Sequence, residues 1–165
     1  MKLYLPDNSI YPHIEVEFEH GQIEVTTIFK FNKDCPIDLK TATFSGERYQ
    51  RKVGIWENDC FELFLQSNEN SSYYEVNIDP HSFYWNAFYF SGYRAGPLKE
   101  TDNISLLEVK CGPESFSFKL RLPKTPSGFI LHPKLILYPH ELPPLYLSNL
   151  EHPASGPDFH LFSRP

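Results

Sequence analysis

Apolar and polar residues alternate with a period of two along most of this chain. Between residues 13 and 20, for example, Ile14, Val16 and Phe18 are separated by glutamates. A period of two places all the apolar side chains on one face of a β-strand, whereas an amphipathic helix requires a period near 3.6. Because the pattern recurs in short segments bounded by turn-forming residues, the chain is predicted to consist of short strands.

The number and spacing of these segments predict the fold class. Strands are expected at about 13–20, 22–31, 55–66, 71–79, 83–90, 104–111, 115–122 and 134–139. We therefore predict an all-β chain, a two-sheet antiparallel β-sandwich of immunoglobulin-like or jelly-roll-like type, in which residues 1–165 form a single domain. The 14 Phe, 10 Tyr and 15 Pro agree with this, because aromatic residues favour strands and proline favours turns and strand edges.

Charge and hydropathy argue against two classes of partner. The formal net charge is −6, which disfavours nucleic acid, since phosphates require a basic surface. No apolar run approaches the roughly 18 residues that a membrane-spanning helix needs, and no signal peptide is recognisable, so no membrane partner is expected. Cys35, Cys60 and Cys111 form no CxxC pair, so we expect reduced thiols and a cytoplasmic location.

Two neighbouring segments predict a hairpin with a four-residue loop at 67–70. In this register Glu62 lies directly opposite Glu75. The apolar side chains of both strands then share one face, which supports the register, because a slip of one residue would mix the two faces. The opposite face carries a polar and aromatic set, namely Cys60, Glu62, Phe64, Tyr73, Glu75 and Asn77.

The two facing glutamates need a partner, because like charges at paired positions destabilise a sheet by about 0.2–1 kcal/mol. Arg94, Lys119, Arg121, a shared proton, a metal ion or a ligand would serve. One interpretation is a structural network of arginine and glutamate. The other is a binding face, on which carboxylates and amides hydrogen bond to sugar hydroxyls while aromatic rings stack on the sugar. Trp85 joins this face only if the loop after Asp79 contains an odd number of residues.

An enzyme is an alternative interpretation. Glu62 and Glu75 could act as an acid/base pair in sugar or small-metabolite chemistry, with the short carboxyl separation of a retaining glycosidase. However, the sequence contains no nucleophile elbow, phosphate loop or HExxH motif, which favours a role without catalysis. A third interpretation is a structural or interaction module whose exposed aromatic residues form a homodimer surface.

The C-terminal segment brings His152, Asp158 and His160 within nine residues. Their spacing matches no standard zinc motif. The intervening proline and glycine favour a rigid loop in which these side chains cap backbone groups. The alternative is that the three side chains meet at a metal ion or a ligand.

Three segments resemble a known family. They are Trp56–Phe64 (WENDCFELF), Tyr74–Pro80 (YEVNIDP) followed by Trp85, and Gly156–His160 (GPDFH). In this order they resemble the DOMON-like proteins related to family-9 carbohydrate-binding modules, and the chain looks most like the small stand-alone bacterial members.

The resemblance implies a β-sandwich that binds a carbohydrate or a related small molecule without catalysis. Related modules bind glycan ends between aromatic side chains, often with structural calcium, and other relatives bind haem. The only methionine is Met1, which argues against a Met/His-ligated haem, whereas the seven histidines leave two-histidine ligation open. The cofactor is therefore undetermined: structural calcium is possible, and haem is disfavoured. Position by position, the family-like ligand-binding residues are Glu62, Glu75, Asn77, Trp85, Arg94, Asp158 and His160.

Overall fold

The computed structural model describes residues 1–21, 23–37, 39–92, 97–124, 128–139, 143–153 and 156–160. In these residues the regular structure consists of strands and two 3₁₀ turns, Gly46–Arg48 and Ile55–Glu57, which confirms the all-β prediction. No helix in this part of the chain is long and apolar enough to cross a membrane. The strands are β1 (Lys2–Tyr4), β2 (Ile10–His20), β3 (Glu24–Phe31), β4 (Ala42–Ser45), β5 (Gln50–Arg51), β6 (Cys60–Ser67), β7 (Tyr73–Ile78), β8 (Tyr84–Phe90), β9 (Ser105–Cys111), β10 (Ser115–Arg121), β11 (Phe129–Leu137) and β12 (Leu145–Ser148).

All of these strands belong to one curled sheet with the order β4-β9-β10-β3-β2-β1-β12-β11-β6-β7-β8-β5. Neighbours are antiparallel except β5 and β8, which run parallel, so the sheet is mixed. The expected division into two separate antiparallel sheets is not met. Short strands β1 and β12 pair through Tyr4 and Ser148 and thereby connect the two halves. This pairing covers backbone edges that two separate sheets would leave open.

The inner face of the curled sheet encloses the main core. The ring of Phe61 on β6 stacks on that of Phe116 on β10, with centroids 4.0 Å apart. Phe29 on β3 meets Phe61 edge-on at 4.8 Å. Because β6 lies far from β3 and β10 in the strand order, these contacts show that the two halves of the sheet face each other. Full burial of each such ring contributes about 1.5–3 kcal/mol.

A close backbone approach beside β9 requires glycine at position 46. A Cβ atom there would lie 1.9 Å from the carbonyl oxygen of Leu106. Since this neighbour is backbone, it cannot turn aside as the end of a flexible side chain would. The 3₁₀ turn after β4 therefore packs against β9 only because residue 46 has no side chain.

A second apolar cluster covers the outer face of β6, β7, β8 and β11. Its buried members are Ile55, Cys60, Phe64, Tyr73, Phe88, Phe90, Ile136 and Phe159. Ile55 belongs to the 3₁₀ turn before β6 and Phe159 to the segment 156–160, so these two segments lie over the outer face. Phe64 and Tyr73 are therefore buried within the chain, and their rings are not exposed for the dimer surface considered above.

Candidate functional site

The hairpin of β6 and β7 forms, but its register differs from the predicted one. Glu62 lies opposite Asn77, and Glu75 lies opposite Phe64. The prediction that Glu62 faces Glu75 was therefore wrong by two residues. A shift of two preserves both faces of each strand, so alternation cannot distinguish the two registers. The prediction that Glu62, Glu75 and Asn77 share one face is confirmed by the same pairing.

The turn itself selects the observed register. The loop occupies residues 68–71, because the amide of Ser67 donates to the carbonyl oxygen of Ser72 at 2.9 Å. Within it, the amide of Ser72 donates to Oδ1 of Asn70 at 2.8 Å, and the amide of Glu69 donates to Oγ of Ser67 at 3.1 Å. Such side-chain to backbone bonds stabilise a tight turn.

The register assembles a row of buried polar residues across five neighbouring strands of the outer face. Each member is directly opposite the next, and each is at most 3% exposed. From β12 through β11, β6 and β7 to β8, the row is Ser148, Lys134, Glu62, Asn77 and Asn86. Glu75 lies two residues from Asn77 along β7, on the same face, and is also buried.

Hydrogen bonds organise the β7 end of the row. Nδ2 of Asn77 donates to Oε1 of Glu75 at 2.7 Å and to Oδ1 of Asn86 at 3.0 Å. Asn86 in turn donates to the carbonyl oxygen of Lys52 at 2.6 Å. Oδ1 of Asn77 is buried and finds no hydrogen-bond partner within the part of the chain that the structure describes. An unsatisfied buried acceptor costs about 1–3 kcal/mol, which makes this atom unusual.

Burial governs the protonation of Glu62. It raises the pKa of this carboxyl well above its usual range, and the negative charge of Glu75 raises it further. The positive charge of Lys134 opposes both effects, and the Cys60 thiol is a hydrogen-bonding neighbour. Glu62 therefore keeps its proton to higher pH than an ordinary glutamic acid and is able to donate as well as accept a hydrogen bond.

Lys134 responds to the same environment. Burial lowers its pKa to about 7, although the charges of Glu62 and Asp158 favour the ammonium form. Its Nζ donates to Oγ of Ser148. The pKa of the lysine falls while that of the opposing carboxyl rises, so desolvation outweighs their mutual attraction in this row.

The C-terminal segment adds His160 and Asp158 to the site. The hydroxyl of Tyr73 and Nδ1 of His160 share a hydrogen bond of 2.6 Å. Nε2 of His160 lies 3.7 Å from Oε2 of Glu75, and the backbone amide of His160 donates to Oδ1 of Asp158 at 3.0 Å. The ring of His160 also meets that of Phe64 edge-on at 5.2 Å. These contacts hold the segment 156–160 against β6 and β7.

The other predicted site residues are placed differently. His152 bonds through its backbone amide to Asn8 and through its ring to the carbonyl oxygen of Tyr4, so it fastens the tail to the β1 region. Arg94 lies outside the described residues. His152 thus follows the interpretation in which a histidine of the loop caps backbone groups.

Trp85 lies on the opposite face of the sheet from the polar row. It pairs with Ile78. The amide of Asp79 donates to the carbonyl oxygen of Tyr84, so an even number of residues, 80–83, forms the turn between the two strands. Its ring belongs to the main core, where the guanidinium of Arg51 lies 3.8 Å from the ring centroid. The expectation that Trp85 shares the face of Glu75 is therefore not met, and Asn86 occupies the corresponding position on β8.

Among the described residues, the cation that lies opposite Glu62 was not one of those predicted. Lys119 and Arg121 instead bind Glu24, at 2.6 and 3.2 Å, on the other half of the sheet. Lys134 is the cation in the row. A signal was present in the sequence, because Lys134 is the one charged residue in the otherwise largely apolar strand Phe129–Leu137.

A cavity of about 580 Å³ opens above the β6–β7 end of this row. This volume lies in the usual range of small-molecule sites, roughly 300–1,000 Å³. Leu98 and Pro157 are exposed at its mouth, whereas Glu62 and Glu75 are buried at its floor. The lining residues are Trp56, Glu62, Phe64, Glu75, Phe90, Leu98, Ile136, Tyr146, Pro157, Phe159 and His160.

The calcium that the resemblance implies does not fit these residues. Calcium takes six to eight oxygen ligands, usually several of them carboxylates. Within the described ranges, no group of three or more His, Cys, Asp or Glu side chains is arranged to hold a metal ion.

Comparisons with known proteins support the fold. The chain is similar to a solved structure described as a "putative carbohydrate-binding protein" from Bacteroides uniformis, with a TM-score of 0.55 and 14% sequence identity. The match covers 96% of this chain and 81% of that protein. At this identity the likeness concerns the fold alone. No protein-family model matches the chain, and no curated protein matches it significantly.

Proposed function

We propose that this chain is a non-catalytic binding protein and that its ligand is a carbohydrate, held in the cavity over β6 and β7. The observation that carries the proposal is the combination of aromatic rings on the cavity walls with carboxyl groups at its floor. A sugar presents the complementary chemistry, since its ring has apolar faces and its edge carries hydroxyls.

The proposed binding mode assigns each part of the cavity a role. The half-buried rings of Trp56 and Tyr146 stack on the faces of the sugar. Glu75, already oriented by Asn77 at 2.7 Å, accepts hydrogen bonds from hydroxyls. Glu62 accepts hydrogen bonds when ionised and donates one when protonated, a choice that burial makes accessible by raising its pKa.

We also propose a domain organisation with a family relationship, and a cellular location, for this chain. The chain forms one domain over residues 1–165, related to the DOMON-like proteins and family-9 carbohydrate-binding modules. The support for this family is the resemblance of segments 56–64, 74–80 and 156–160, whereas the likeness to the Bacteroides uniformis protein concerns the fold alone. The location is cytoplasmic, which is supported by the free thiols of Cys35, Cys60 and Cys111, because oxidising compartments favour disulfides.

Calorimetric titration of the full chain with neutral and amino monosaccharides and disaccharides tests the proposed function. We expect saturable binding by at least one sugar. Trp56→Ala should weaken it by about 2- to 12-fold, the equivalent of losing one aromatic stacking contact of about 0.5–1.5 kcal/mol. Val53→Ala, an exposed apolar residue that does not line the cavity, serves as the control and should change nothing. If no sugar in the panel binds, the proposal is wrong.

A glycosidase is the second candidate, favoured by the raised pKa of Glu62 beside a second carboxyl, Glu75. This is the environment of a general acid. If the chain is such an enzyme, it should hydrolyse nitrophenyl glycosides, and Glu62→Gln should abolish turnover. Glu108→Gln, on the distant strand β9, should retain it. This candidate is rejected if none of the nitrophenyl glycosides releases nitrophenol faster with the protein than in buffer alone.

A further inference from the structure

We propose that the ligand of the cavity carries a protonated amine, as an amino sugar does, and that Glu62 and Glu75 at the cavity floor receive this group. The inference rests on the carbohydrate proposal and narrows it to one class of sugar.

The floor of the cavity carries two carboxyl groups, those of Glu62 and Glu75. Asn77 lies directly opposite Glu62 and is fully buried, outside the cavity lining. Its Nδ2 donates to Oε1 of Glu75 at 2.7 Å, which orients that carboxyl as an acceptor. An ammonium group has three donors and no acceptor, so it matches this floor better than a hydroxyl, which brings only one donor.

The charge of the site also favours a cationic group. Within the described residues, the cavity lining contains neither lysine nor arginine. Lys134 lies on the β11 side of Glu62, whereas Asn77 lies on the β7 side. The amine of Lys134 donates to Ser148, still farther from Asn77. A ligand ammonium at Glu62 and Glu75 therefore supplies positive charge that no lysine or arginine of the described lining provides, and it favours the ionised form of these carboxyl groups.

The walls suit the same group. The rings of Trp56, Phe90, Tyr146 and Phe159 line the cavity above the two acceptors. An ammonium ion is attracted to the face of an aromatic ring, most strongly to tryptophan. The same rings stack on the apolar face of a sugar. A ligand that combines a pyranose ring with an ammonium substituent uses both properties of the walls.

Titration of the full chain at pH 6 with matched sugars tests the inference. Each pair has the same ring configuration and carries either an amine or a hydroxyl at C2: glucosamine and glucose, galactosamine and galactose, mannosamine and mannose. The N-acetylated forms complete each set, and propylammonium is the amine without a ring. We expect one amine to bind at least ten-fold more tightly than both its hydroxyl and its N-acetyl partner. We also expect Glu62→Gln to remove this preference and Glu108→Gln to retain it.

The outcomes separate the two proposals. If sugars bind with no preference for the amine, the amino-sugar inference is wrong and the carbohydrate proposal stands. If no sugar binds, both fail. If propylammonium binds as tightly as the best amino sugar, the cavity recognises an amine alone, and the amino-sugar assignment is overturned. The comparison of ligands is made on the unaltered chain, so it decides the question even if the Glu62 variant fails to fold.

Discussion

Replacing Lys134 with methionine is expected to stabilise the protein at neutral and acidic pH, because burial of the amine outweighs its attraction to Glu62. Burial lowers the pKa of Lys134 from 10.5 to about 7 in the folded chain. In the unfolded chain a lysine titrates near its usual pKa of about 10.4. Between these two values the unfolded chain binds a proton that the folded chain lacks, so the free energy of unfolding rises with pH through this window.

The magnitude follows from the shift, which is 10.5 minus about 7, or roughly 3.5 units. At about 1.36 kcal/mol per unit, the charged amine costs on the order of 5 kcal/mol at and below pH 7. Methionine removes this cost but also loses the hydrogen bond to Ser148, which contributes about 1.5–3 kcal/mol when the donor is charged. We therefore expect the free energy of unfolding of Lys134→Met to exceed that of the wild type by about 1–4 kcal/mol at pH 6. No unpaired charge is left behind, because loss of the lysine's charge raises the pKa of Glu62 further and favours the neutral form of this carboxyl.

Urea unfolding at pH 6, 7, 8 and 9, followed by tryptophan fluorescence, measures the effect. The advantage of Lys134→Met over the wild type should be constant below pH 7 and should decrease by about 1.4 kcal/mol per pH unit above it. Lys119→Met, at a half-exposed lysine on β10, is the control and should change stability by less than about 1 kcal/mol at every pH. The prediction is wrong if Lys134→Met is several kcal/mol less stable than the wild type at pH 6 and this difference does not change with pH. Such a result would show that the amine is held as a stabilising cation.

Two further predictions concern His132 and Gly46. Burial lowers the pKa of His132 to about 4, whereas an unfolded histidine titrates near 6.5, so the free energy of unfolding should fall by up to about 3 kcal/mol as the pH drops from 6.5 to 4. His132→Gln should flatten this part of the stability profile in urea unfolding, and an unchanged acid limb would contradict the assignment. Gly46→Ala should lower the free energy of unfolding by about 1–3 kcal/mol or more, because its Cβ would lie 1.9 Å from the backbone oxygen of Leu106. In the same assay Gly112→Ala, where the nearest atom is at 3.7 Å, is the control, and an equal loss in both variants would argue against a steric cause.

The sequence predicted the longer strands and their faces, but not the short strands β1, β4 and β5. Alternation is a property of neighbouring residues, because successive side chains of any strand point to opposite sides. It therefore predicted correctly that Glu62, Glu75 and Asn77 share one face of a hairpin. It could not distinguish two registers that differ by two residues, since both keep the same faces. The orientation of Trp85 depended in the same way on the number of residues in one turn.

The burial and the pairing partners of those faces depend on the tertiary structure. The pairing of β1 with β12 joined the halves of the sheet, and the segment 156–160 brought His160 over Glu75. The register of β11 placed Lys134 opposite Glu62. Burial then raised the pKa of Glu62 and lowered that of Lys134, which favours the neutral form of each group. The faces of a strand depend on backbone geometry within a few residues. Burial, the pairing partner of each residue and the local dielectric depend instead on residues that are distant in the sequence. For that reason the sequence identified the carboxyl groups of the site, and only the fold made them the floor of a cavity.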